Sequence, residues 1–241
     1  MRNFKFNPFF VVLLIMMGFS SLRQYSGVAE WMMHMALILP GVIIGLSFHE
    51  FAHAAMANAL GDPTAKNMGR MTINPISHFD PFGFLALLFL GFGWGIPVPV
   101  NPNNLKHKRR DDILISIAGV CMNFIIALIA GGIYVFLFIK GFYPSVDAGM
   151  QSMISLLLLY IMQINLVLLV FNLIPIPPLD GFHVFSQLFG FANTDFAAKL
   201  EQYGFIILMI ALIMGIVDFI LGPGVKFLTE MIVELFLRLL N

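Results

Sequence analysis

The sequence predicts an all-α polytopic membrane protein, with about five to six transmembrane helices and a re-entrant or β-like hairpin after the second. Three observations predict this class. Of the 241 residues, 59% are hydrophobic and 11% are charged, where soluble domains carry roughly 45–50% and about 25%. The mean hydropathy is +0.91. Apolar runs approaching the roughly 20 residues that a bilayer span needs recur along the chain, separated by proline and glycine.

Residues 8–22 form the first apolar segment, behind Arg2 and Lys5. The basic start and polar exit mimic a signal peptide, but no A-x-A-like cleavage site follows, so a retained first helix is expected. The second span covers 31–60 and stops at Gly61-Asp62-Pro63, a strong helix terminator. A polar loop over 61–80 carries turn signals at Asn74-Pro75 and Asp80-Pro81.

Residues 82–96 are apolar but broken by Gly83, Gly91, Gly93 and Gly95, and the following IPVPVNPNN holds three prolines, which exclude continuous helix. Lys66 and Arg70 precede this segment and Lys106 to Arg110 follow it, so the positive-inside rule puts both flanks in the cytoplasm. Segment 82–102 is therefore expected to enter and leave on one side. Non-helical backbone at membrane depth needs protein or a water-filled cavity around it, which places a site nearby. A third span is expected at 112–139 and a fourth at 151–173. The fourth leads through NLIPIPPLDG into a short helix at 181–191. A further span follows at 203–221, and Gly222-Pro223-Gly224 is expected to break the chain before a last helix at 225–240. The whole, 1–241, reads as one membrane domain. The charges put the N-terminus and the region of Asp180 on the cytoplasmic side, with Lys140 against the pattern.

Net charge is zero, so no polyanionic partner is implied. The basic run 106–110 reads as a membrane flank rather than a nucleic-acid patch, because apolar segments lie on both sides. The single cysteine, Cys121, rules out an intramolecular disulfide and is expected as a small core residue.

The stretch LSFHEFAHAAM, 46–56, carries the chemistry. Ionisable groups inside a span are costly and mark function by default. His49 and His53 are four apart, hence on one helix face one turn from each other. Two imidazoles so placed can hold one metal ion, with Glu50 in reach of a bound water. Such a metal acidifies the water and polarises a carbonyl; a glutamate beside it can move the proton to a leaving amine. The bland alternative is a polar patch hydrogen-bonded between helices. A catalytic zinc site takes three protein ligands and keeps one open position. Two carboxylates lie close to apolar segments, Asp180 and Asp218. Asp180 stands on broken backbone beside Gly181, and Asp218 nearer the far end of its span. His183 could compete with Asp180. His34 lies about 22 Å along the helix from His49 and cannot share the ion. His78 and His107 are expected to be solvated loop residues.

HEFAH within a span and NLIPIPPLDG in a later one resemble the site-2 protease family of intramembrane zinc metalloproteases, peptidase family M50. GDPTAKNMGRMTINPISHFDPFG and VPVNPNN resemble its short bacterial branch, which lacks PDZ and CBS domains. The resemblance implies one Zn²⁺ ion held by His49, His53 and Asp180, with Glu50 as general base. It implies that Asn172, in the motif with Pro175 and Asp180-Gly181, contacts substrate or the oxyanion. It maps Gly119 and Asn123 to the G-x-x-x-N element of the central span, where they serve catalytic support or helix packing. Pro175 and Gly181 are expected to support substrate or structure. Val120 stands where the family often has proline, and Phe182 where it often has a small residue. The implied activity is hydrolysis of transmembrane protein substrates in a prokaryotic plasma membrane, with no nucleic acid involved. A non-enzymatic membrane metal binder or transporter is the rival class. Glu50 separates the two, since a transporter has no evident use for a base beside a ligand.

Overall fold

The computed structural model describes residues 25–90, 93–139, 141 and 147–240. The expected first span at 8–22 and Lys140 lie outside the described residues. The described chain is mainly helical: α1 Val28–Ala59, α2 Thr64–Asn67, α3 Pro81–Leu90, α4 Lys108–Tyr134 with a π-helical extension Val135–Ile139, α5 Ala148–Asn172, α6 Asp180–Leu188, α7 Asp195–Ile213 and α8 Ile216–Leu239. No strand occurs among the described residues. Four helices there are long and apolar enough to cross a membrane: Val28–Ala59, Lys108–Phe138, Ala148–Asn172 and Asp195–Ile213.

The 32 residues of α1 extend about 48 Å, more than the roughly 30 Å hydrocarbon core. The helix stops where the sequence signals it. Gly61 takes a left-handed φ of 106°, its N–H donates to Asn58 O at 3.2 Å, and Asp62 N–H reaches Ala57 O at 2.8 Å. These are the paired bonds of a Schellman cap, which glycine accommodates without a Cβ clash.

The segment after α1 doubles back as a helix followed by irregular chain, not as a β-ladder. A Cβ on Gly83 in α3 would lie 2.0 Å from Trp94 O, so only glycine lets the two limbs meet. Returning residues 94–100 are held singly: Ile96 N–H donates to His78 O at 2.9 Å, and Arg70 Nη2 donates to Ile96 O at 2.7 Å.

Helices α1, α4 and α5 pack against one another, and α8 closes the α4–α5 seam. Ala127 and Ala130 of α4, Met162 and Leu166 of α5 and Ile232 of α8 form the central core. Gly41 and Gly45 bring α1 onto α5. Cβ atoms there would lie 3.2 Å from Tyr160 O and 2.5 Å from Leu168 Cδ1, the small-xxx-small contact of membrane helices. Ile125, Ile129 and Ile133 point outward along one face of α4, a surface suited to lipid rather than water. Cys121 is exposed on α4 and is not the core residue expected.

The C-terminal break also differs. The turn comes at Gly215, which closes α7 with a left-handed φ of 71°, eight residues before Pro223, which lies inside α8. A Cβ on Gly224 would meet Val170 Cγ1 at 3.0 Å, so this glycine serves close approach of α8 to α5. Helix α6 is tied at its far end to the first turn of α4. Arg109 Nη2 donates to Leu188 O at 2.9 Å and Gln187 Nε2 to Asp112 Oδ2 at 2.8 Å.

Candidate metal centre

His49 and His53 lie in the last three turns of α1 and are buried. His53 is six residues from Ala59, about 9 Å from the helix end. Asp180 begins α6, on the backbone that turns after the proline-rich link. Gly181 makes that placement possible: a Cβ there would lie 2.4 Å from Leu173 O at the end of α5. The result brings together three groups far apart in sequence. His53 Nε2 lies 2.9 Å from His49 Nε2, and Asp180 Oδ2 lies 3.1 Å from His49 Nε2 and 3.3 Å from His53 Nε2.

The outer ring nitrogens decide what those inner atoms are. His53 Nδ1 lies 2.7 Å from Ile115 O. A carbonyl accepts only, so His53 Nδ1 carries the proton. His49 Nδ1 lies 2.6 Å from Asn123 Oδ1. The Asn123 amide is oriented by its Nδ2, which donates to Gly45 O at 3.1 Å and Asn165 Oδ1 at 3.0 Å. His49 therefore also donates through Nδ1. In the neutral rings both Nε2 atoms present lone pairs, and Asp180 Oδ2 is buried without a hydrogen-bond donor. Three lone-pair atoms within 3.3 Å of one another repel unless a cation sits among them. Ligands about 2.0–2.1 Å from a tetrahedral zinc are about 3.4 Å apart, close to the spacing seen. The donor set fits a divalent metal ion.

Gly119 of α4 forms the floor. A Cβ there would lie 2.6 Å from both His49 Cε1 and His53 Nε2. Glu50 is half-buried, and its Oε2 accepts from Val98 N–H at 2.8 Å. That backbone donor falls between Pro97 and Pro99, which have none. Asn172, at the end of α5, donates through Nδ2 to Leu168 O at 3.0 Å, and Pro175 is exposed on the link to α6. Among the described residues, the groups able to share one ion are His49, His53 and Asp180. Neither His183 nor Asp218 joins them. Asp218 is exposed at the start of α8, and His34 pairs with Tyr160 at 3.2 Å. His107 is exposed as expected. His78 is buried, with Nε2 at 2.8 Å from Thr72 O, and is not the solvated residue expected.

Sequence reasoning missed three parts. Asn165 is fully buried beside Asn123, and an amide within an apolar span was a usable signal. Gly41 and Gly45 were legible as a small-xxx-small pair. Asp62 is enclosed and accepts from Thr64 N–H, Thr64 Oγ1, Asn101 N–H and Asn104 Nδ2, so it ties the end of α1 to the segment that carries Val98.

The sequence model described as peptidase family M50 matches residues 37–216. The chain is 36% identical over 197 residues to the Bacillus subtilis protein named "Putative zinc metalloprotease YwhC", covering 81% of this chain and 88% of that one. Two mycobacterial proteins with the same description and the name Rip2 are also similar. The one from Mycolicibacterium smegmatis is 29% identical over 73% of this chain and 66% of its own length. The one from Mycobacterium tuberculosis H37Rv is 26% identical over 72% and 65%. No solved structure matches the chain.

Proposed function

The chain belongs to peptidase family M50, and on that premise we propose that it is a zinc endopeptidase of the site-2 protease type. In this reading it cleaves transmembrane protein substrates in a prokaryotic plasma membrane, from a site on the cytoplasmic side. The observation that carries it is the meeting of His49 Nε2, His53 Nε2 and Asp180 Oδ2 with lone pairs facing one another. These three residues hold the ion. When bound, zinc supplies Lewis-acid chemistry, acidifying a water and polarising the scissile carbonyl.

The remaining work falls to side chains. Glu50 takes a proton from the attacking water and delivers it to the leaving amine as the C–N bond breaks. Its bond to Val98 N–H fixes one carboxylate oxygen and leaves the other for the water. Asn172 has one N–H on Leu168 O and a second with which to steady the oxyanion. The glycine- and proline-bearing segment 93–101 and the proline-rich link 173–179 receive the unwound substrate, whose backbone groups are costly to leave bare in lipid. Pro97 and Pro99 have no N–H, and Val98 N–H is taken by Glu50 Oε2, so pairing along 97–99 falls to substrate N–H groups.

The test is purification in detergent, measurement of bound metal, and cleavage of a panel of single-span peptides by wild type and Glu50→Gln. The variant is expected to retain metal and lose cleavage. Unchanged cleavage rejects Glu50 as the base, and loss of metal assigns it a ligand role.

A further inference from the structure

Asn165 lies outside every motif that suggested the site, yet it is fully buried on α5 and bonded on both sides. Its Nδ2 donates to Ile161 O at 2.8 Å. A carbonyl cannot donate, so the amide has one usable orientation, with Oδ1 facing α4. That oxygen accepts from Asn123 Nδ2 at 3.0 Å, and Gly45 O takes the other Asn123 N–H at 3.1 Å. With both hydrogens engaged on the α1 and α5 sides, the Asn123 amide cannot flip. Its Oδ1 must face His49 Nδ1 at 2.6 Å, which puts the ring proton there and the lone pair at Nε2. Gly45 belongs to the same device. A Cβ on it would come within 3.1 Å of Asn165 Oδ1, so the glycine makes room for the amide between the helices.

We infer that Asn165 is a positioning residue for the metal centre: through Asn123 it sets the tautomer and orientation of His49. The inference rests on the metal-centre reading above. It gives the buried amide on α5 a task that packing alone would not require. Leucine, with the same branched shape and apolar, would serve packing between membrane helices as well.

The experiment uses the full chain in detergent, with Zn²⁺ affinity read by competition with a chromophoric chelator and thermal unfolding recorded for the metal-free protein. Asn165→Leu is expected to weaken Zn²⁺ binding about tenfold, the lower end of what losing a partner of a ligating histidine costs. Asn165→Asp is expected to restore affinity to within about twofold. Burial keeps that acid neutral, so it still accepts from Asn123 and donates to Ile161 O. In an Asn123→Ala background, Asn165→Leu is expected to cause no further loss, because its route to His49 is already cut. If Asn165→Leu does not fold, Asn165→Ala removes the same acceptor and carries the same expectations. Unchanged affinity in the single variant overturns the inference, as does an equal loss with and without Asn123, which is the mark of packing alone. Failure of the wild type to bind Zn²⁺ overturns the metal-centre reading and this inference with it.

Discussion

Replacing Gly119 with alanine places a Cβ 2.6 Å from His49 Cε1 and from His53 Nε2, and 2.7 Å from His49 Nε2. Ordinary van der Waals contact begins at 3.4 Å, so the rings and α4 must separate by about 0.8 Å. The rings cannot swing away cheaply, because each is held through Nδ1, His49 by Asn123 and His53 by Ile115 O. Ligand distances in a working metal site tolerate about 0.2 Å, a quarter of the required shift. Overpacking of this kind costs about 1–3 kcal/mol. Spent on the bound state, that corresponds to Zn²⁺ affinity weakened about 5- to 150-fold, with cleavage falling in step. Chelator competition and peptide cleavage read the two effects. Gly132→Ala is the control: its Cβ would come 2.7 Å from Phe236 Cζ, the far end of a flexible side chain away from the site. Its Zn²⁺ affinity is expected to stay within twofold of wild type. Gly119→Ala binding Zn²⁺ within twofold of wild type and cleaving at full rate would refute the placement of both imidazoles against α4.

Three further outcomes follow from the same structure. Burial opposes charge on Asp62, but the hydrogen bonds from Thr64, Asn104 and Asn101 outweigh it and hold the carboxyl below the usual carboxylate range. Its contribution is thus present above the unfolded value of about 3.9 and lost as pH falls through the lower folded value. Asp62→Asn is expected to destabilise by about 1–3 kcal/mol at pH 7, with the gap to wild type closing under acid, read by unfolding across pH. Gly215→Ala forces a Cβ onto a left-handed residue with open space around it; it is expected to cost about 1–2 kcal/mol of stability with Zn²⁺ affinity unchanged. Stripping metal with a chelator is expected to abolish cleavage reversibly. Zinc restored at about 100 times its Kd should add about 2.7 kcal/mol of stability, seen as a higher Tm.

The helical membrane class and the pairing of His49 and His53 on one helix face were legible because their signals are local. Hydropathy over a window reports bilayer partitioning, and a spacing of four reports one helix face. The Gly61 cap was legible for the same reason. The Gly222-Pro223-Gly224 break failed because a local rule lost to packing: glycine at 224 was needed for contact with α5, and the reversal fell to Gly215. His78 and Cys121 were misplaced because burial depends on which element covers a residue, and a loop or a span does not state that alone.

Chain chemistry by itself determined an apolar helical protein with two imidazoles on one helix face, and left their carboxylate partner between Asp180 and Asp218. Tertiary structure alone decided which atoms meet and in what protonation. His53 is set by the carbonyl of Ile115, Glu50 by the N–H of Val98, and His49 by an amide that a second amide holds. Proline's missing N–H apart, backbone donors and acceptors are the same at every residue, so their use leaves no trace in a sequence. Their direction toward a side chain exists only once separate helices have packed.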